Sequence, residues 1–161
     1  MEGTLPPPRT PDQTDLVKLC AALNARGARY LVVGGLAINH QGLLRATEDI
    51  DLLLEASREN QAMVLKALEI LPDRAVLELN ENDLDEYTVV RVADEIVVDL
   101  MLSACGVTYE DAQGEIEFVE IDGVKIPFAS AKLLLRTKQT VRDKYIPDRI
   151  FLEHKLREIP Q

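Results

Sequence analysis

No stretch of this 161-residue chain comes near the ~18 consecutive apolar residues that a membrane-spanning helix requires. No basic segment followed by an apolar core opens it, so no signal peptide is expected and the location expected is cytoplasmic. Basic residues are scarce: 18 Lys and Arg stand against 28 Asp and Glu, a formal net charge of −10. That balance argues against nonspecific nucleic-acid binding, which needs clustered cations. Only two cysteines occur, Cys20 and Cys105, with no metal-ligand spacing. Each has apolar neighbours and reads as a reduced core thiol. No internal repeat is visible. With 47% apolar residues, the chain reads as one soluble domain over 10–161, after a disordered lead-in over 1–9 that carries three consecutive prolines.

What the chain does have is a glycine pair, Gly34-Gly35, closing the apolar run Tyr30-Leu31-Val32-Val33, followed by Glu48-Asp49-Ile50-Asp51-Leu52. In a strand, residues i and i+2 share a face, so Asp49 and Asp51 project together with Cα atoms ~7 Å apart. Two convergent carboxylates beside a leucine run are costly to bury without a positive partner. Mg²⁺ answers that need, because it is commonly held by one or two carboxylates plus substrate phosphates. A third acid, Asp99, interrupts Ile96-Val97-Val98 and Leu100-Met101-Leu102, a run that reads as a central strand. It is either a third ligand or a strand-end aspartate bonded to backbone. The glycine pair either lets backbone approach phosphate or makes a tight strand-to-helix turn.

The periodicity predicts a helix from about residue 11 to Gly27, with Thr10 as N-cap, Pro11 in the first turn and Gln13 completing a capping box. A strand over 29–33, a short helix over 36–41 ended by Gly42, and a strand over 49–55 follow. Ser57 caps a helix to about Leu71. A short strand is expected over 76–79, and two strands over 86–92 and 95–102 joined at Ala93-Asp94. Residues 103–114 read as irregular. A hairpin over 116–121 and 124–128 turns on Asp122-Gly123. Ser130 caps a helix to about Arg142, and a last helix follows Pro147. The order predicts an α+β domain, a mixed β-sheet with helices packed on it.

The block from Gly34 to Leu52, with its Arg45-x-Thr47-x-Asp49-Ile50-Asp51 lead-in, resembles the signature of the DNA polymerase β-type nucleotidyltransferase superfamily. It is similar to the small-domain branches: minimal bacterial nucleotidyltransferases, abortive-infection transferase toxins and antibiotic nucleotidyltransferases. The resemblance covers roughly residues 28–148. It implies the polymerase β-like fold and transfer of a nucleoside monophosphate from an NTP such as ATP to an acceptor hydroxyl, releasing pyrophosphate. It implies that Asp49, Asp51 and Asp99 are catalytic and hold two Mg²⁺ ions (or Mn²⁺ in their place), with Asp99 on the ion that activates the hydroxyl and itself a candidate to accept its proton. Gly34 and Gly35 would meet the nucleotide. Arg45 and Thr47 precede the acids; Arg45 either meets triphosphate or balances the acidic cluster.

Further on, Lys138, Arg142, Lys144 and Asp148 resemble a Lys-x-x-x-Arg-x-Lys-Asp-x-x-Asp segment that follows the core in related small transferases; Tyr145 replaces the usual aspartate. Lys138 and Arg142 share a helical face. They bind triphosphate or form a solvated basic face. The competing reading of the whole chain is a non-catalytic module that keeps the fold for binding or regulation. A metal-dependent phosphotransferase without NTP preference is a third. The acidic balance favours a small or cationic acceptor, or a protein, over a long nucleic acid. An acceptor site built with a second copy or a partner protein is expected, because little chain is left for a separate acceptor domain.

Overall fold

The protein is described here from a computed structural model, in which residues 7–44, 46–137 and 146–158 are placed. Six strands form one mixed sheet: β1 (Tyr30–Val33), β2 (Asp49–Leu54), β3 (Val90–Ala93), β4 (Val97–Met101), β7 (Ile116–Ile121) and β8 (Val124–Ala129). Their order is β3-β4-β2-β1-β8-β7. β1 runs antiparallel to β2 and parallel to β8; β2 runs parallel to β4; the two outer pairs are antiparallel. This is the α+β mixed sheet that the element order predicts.

Apolar runs set the centre of this sheet. All four residues of β1 are buried, as are Val97 to Leu100 of β4. Strands covered on both faces lose the polar alternation of half-exposed ones. Helix α1 (Gln13–Ala25) packs on β8 and against α3 (Arg58–Ala67). Helix α2 (Gly34–Gln41) packs on β2 and against α5 (Ala131–Thr137), which packs on α6 (Ile146–Glu158). Leu31, Ile50, Leu52, Leu100 and Ile126 are fully buried between these layers. α4 (Asp83–Glu86) is one turn.

Local capping follows the expectation at Ser57, which accepts the Asn60 N–H at 3.2 Å, and at Ser130, which accepts the Leu133 N–H at 3.1 Å. It departs at α1. Asp12, not Thr10, is the N-cap; it accepts the Asp15 N–H, and Asp15 accepts the Asp12 N–H. A carboxylate serves the positive helix end better than a hydroxyl, so the helix starts later and Pro11 is buried ahead of it. The strand expected over 76–79 is a 3₁₀ turn, Ala75–Glu78, entered through Arg74 at φ +49°. Within 103–114, β5 (Ser103–Ala104) and β6 (Val107–Thr108) pair around Cys105-Gly106, both at positive φ. Such a two-residue turn projects into solvent. Cys105 is therefore exposed, which corrects its assignment as a core thiol. Cys20 is buried, and burial pushes its thiol up to about 11.

The β3–β4 turn rests on one side chain. Asp94, 3% exposed, accepts the N–H groups of Asp73 (3.0 Å), Ala75 (2.9 Å) and Glu95 (2.7 Å). It ties the loop before β3 to the hairpin that carries Asp99. Asp94→Ala leaves three backbone N–H groups without this acceptor, so unfolding in urea should show a loss of about 2 kcal/mol. An unchanged midpoint would mean that water replaces the carboxylate.

Candidate active site

Strand pairing brings three carboxylates together. On β2, Asp49 and Asp51 are half-buried and share a face, while Ile50 and Leu52 turn into the core. On the parallel neighbour β4, Asp99 sits in register with Asp51. One oxygen from each of Asp49, Asp51 and Asp99 lies within 4.8 Å of the others. Asp99 is 6% exposed, which puts it among buried acids that need a positive partner.

Gly34, at the start of α2 just after β1, closes the cluster. Its φ is +71°, a conformation that L side chains rarely adopt. A β-carbon here would overlap the Asp51 carboxylate, 2.7 Å from its Cγ and 2.9 Å from its Cβ. Glycine is thus required twice, by backbone angle and by the space Asp51 fills. Gly35 is buried in the first turn of α2. Val33 holds the cap position of that helix and offers no side-chain cap, so the first-turn N–H groups suit an anion.

Thr47 is buried, two residues before Asp49 in the chain. Arg45, Lys138, Arg142 and Lys144 lie outside the described residues. Asp148, in the first turn of α6, is fully buried. Two clefts meet at the lead-in to β2. Leu36, Asn39, His40, Ala46, Thr47 and Phe128 line a cavity of about 360 Å³, where His40 stacks on Phe128 with ring centroids 4.2 Å apart. Glu48 and Asp49 line the other, about 510 Å³, with Pro8, Arg9, Thr10 and Arg91. Arg9, read from sequence as lead-in, is fixed there by Asp15 and Glu95 at 2.6 and 2.9 Å.

One residue of the cluster escaped the sequence reading. Arg91, in register with Asp99 on β3, donates from Nε and one Nη to its two oxygens at 2.9 and 3.0 Å. The same Nη reaches Asp49 Oδ2 at 3.2 Å. The register that pairs Arg91 with Asp99 depends on a turn over residues 94–96, longer than the Ala93-Asp94 join expected from sequence.

The donor set is three hard carboxylate oxygens close enough to share one ion, with a glycine making room beside one of them. These residues fit a divalent metal such as Mg²⁺. Burial, and then the charge of Asp99, hold Asp49 above the usual carboxylate range. The native state therefore keeps this proton to higher pH than the unfolded chain does. Stability of the metal-free protein should fall as pH rises from the ordinary aspartate value of ~3.9 through the raised Asp49 titration. Asp49→Asn should flatten that slope and raise the melting temperature near neutral pH. Thermal melts across the acidic range check this; an unchanged slope would show that Arg91 already neutralises Asp49.

Neither a family model nor a curated protein matches the sequence. Solved structures do. A Thermotoga maritima protein, TM1012, assigned as a nucleotidyltransferase, superposes with TM-score 0.53 and 18% identity, covering 89% of this chain and 91% of its own. ANT(2″)-Ia in complex with adenylyl-2″-tobramycin gives 0.59 and 18%, covering 89% and 88%. The solution structure of the antibiotic-resistance factor ANT(2″)-Ia gives 0.59 and 17%, covering 88% and 82%. No helix among the described residues is long and apolar enough to cross a membrane. The chain shares the fold of these nucleotidyltransferases, the fold its Gly-Gly and Asp-x-Asp block implies.

Proposed function

We propose that the protein is a Mg²⁺-dependent nucleotidyltransferase that moves a nucleoside monophosphate from an NTP to an acceptor hydroxyl and releases pyrophosphate. The observation that carries this is the meeting of Asp49, Asp51 and Asp99 beside a helix start at Gly34. The acceptor oxygen forms a bond to the α-phosphorus, and the bond from that phosphorus to the bridging oxygen of pyrophosphate breaks. Magnesium ions held by the three carboxylates supply charge neutralisation at the reacting phosphoryl group. Asp99 takes the hydroxyl proton. The uncapped first turn of α2 holds phosphate oxygens, aided by Arg45, Lys138, Arg142 and Lys144. Mn²⁺ replaces Mg²⁺ at the same oxygens.

Two clefts leave room for two substrates. A small acceptor fits both the cleft size and the acidic surface, which repels long polyanions. A small-molecule product is seen on one structural neighbour, ANT(2″)-Ia, in its complex with adenylyl-2″-tobramycin. The acceptor site is completed by a second copy or a partner protein, and the reaction takes place in the cytoplasm.

One observation favours the non-catalytic reading instead: Arg91 already satisfies Asp99, as a purely structural acidic cluster would need. Incubation of the protein with labelled NTPs, Mg²⁺ or Mn²⁺ and cell extract decides between them. Label should pass to one acceptor. No transfer from any NTP, with Mn²⁺ bound or not, would leave the binding module.

A further inference from the structure

We infer that Arg91 is a displaceable resident cation: it occupies the metal-binding oxygens of Asp99 and Asp49 in the metal-free protein and must leave them when a divalent metal binds. The inference rests on the nucleotidyltransferase reading of the same site. Three carboxylates with oxygens inside 4.8 Å repel strongly, and two of them are largely withdrawn from water. Arg91 relieves this with a two-point fork onto Asp99 and a third contact on Asp49. Both oxygens of Asp99 are engaged by that fork. A metal ion would draw on the same two oxygens and place a second positive charge beside the guanidinium, so guanidinium and metal compete.

The geometry gives Arg91 somewhere to go. Its side chain is 60% exposed, while that of Asp99 is 8% exposed. It springs from the edge strand β3 and borders the cleft of about 510 Å³. Swinging outward loses little packing. The other arginine of that cleft, Arg9, is engaged by Asp15 and Glu95 and stays in place. Strand order also puts Arg91 two strands beyond β2 on the side away from Gly34. The guanidinium therefore leaves without crossing the phosphate end of the site.

Coupling follows. Metal alone has to evict Arg91, so it binds weakly. Metal arriving with a triphosphate brings its own negative charge and lets the displaced arginine remain nearby at less cost. Metal and nucleotide should therefore bind with positive cooperativity, and Arg91 should be the source of it.

Calorimetry with Mn²⁺, with and without a nonhydrolysable NTP, tests this on wild type, Arg91→Gln and Arg91→Lys. Arg91→Gln should bind Mn²⁺ alone roughly tenfold or more tightly, the worth of a charge-assisted hydrogen bond. It should lose most of the gain that nucleotide brings, and melt at lower temperature without metal. Arg91→Lys, which keeps the charge but not the fork, should fall between. Should Arg91→Gln not fold, the wild type still answers: the Arg91 Nε–H resonance should shift sharply on Mg²⁺ titration. Equal or weaker Mn²⁺ binding by Arg91→Gln, or an unmoved Nε–H resonance at saturating Mg²⁺, would overturn the inference and leave the nucleotidyltransferase reading standing. No Mn²⁺ binding by wild type or variant, with or without nucleotide, would overturn both.

Discussion

Asp51→Asn should reduce nucleotidyl transfer by ~10³-fold while the protein stays folded. On the proposed function, losing one of the three carboxylates around the metal costs ~4 kcal/mol of transition-state stabilisation, at ~1.4 kcal/mol per factor of ten. Asp51 is the residue that touches both halves of the site. It pairs in register with Val33 on β1 and with Asp99 on β4, and its carboxylate fills the space left by the missing β-carbon of Gly34. Asparagine keeps that shape and removes the charge. Unaltered circular dichroism with lost Mn²⁺ binding is the expected pair of results. A folded Asp51→Asn protein that transfers nucleotide at the wild-type rate would remove the carboxylates from the mechanism.

Gly34→Ala should be nearly as damaging and should lower stability as well. An alanine at φ +71° carries the left-handed penalty of ~1–2 kcal/mol. Its β-carbon also demands the place of the Asp51 carboxylate. Either the side chain turns away or the β1–α2 turn shifts. Turning a carboxylate costs less than moving buried backbone between Val33 and Leu36, so Asp51 should yield. Urea unfolding should then report a loss of about 2 kcal/mol. Transfer should drop to the level of Asp51→Asn, and Mn²⁺ binding with it. Retained Mn²⁺ affinity in Gly34→Ala would show that the turn moved instead.

Much of this was legible before any coordinates. Alternation placed Asp49 and Asp51 on one face, and the apolar run around Asp99 marked an interior strand; both hold in the sheet. The Asp122-Gly123 hairpin and the caps at Ser57 and Ser130 are local chemistry, and they hold too. Arg91 was not legible, for a reason of three residues. A two-residue turn at Ala93-Asp94 would set Asp99 opposite Thr88. In the structure the turn takes in residues 94–96, because the Asp94 carboxylate gathers the Glu95 N–H, and Ala93 pairs with Val97. Asp99 then faces Arg91. Gly34 was chosen for its backbone freedom, whereas its contact with Asp51 crosses between two strands and no local pattern encodes it. The helix start at Asp12 was missed because two acids and a hydroxyl competed for one cap.

The pairing of β2 with β4 has a consequence in time. Positions 51 and 99 are neighbours in the sheet, yet the chain between them must make α3, two 3₁₀ turns, α4 and β3 before they meet. Closing so long a loop is slow relative to forming the β1–β2 or β7–β8 pairs. The carboxylate cluster is therefore assembled late, and a chain whose β3–β4 hairpin is undocked has only Asp49 and Asp51 of it. Capture of Mn²⁺ together with a nonhydrolysable NTP should accordingly lag behind secondary structure during refolding, which makes the ion a clock for the last docking step.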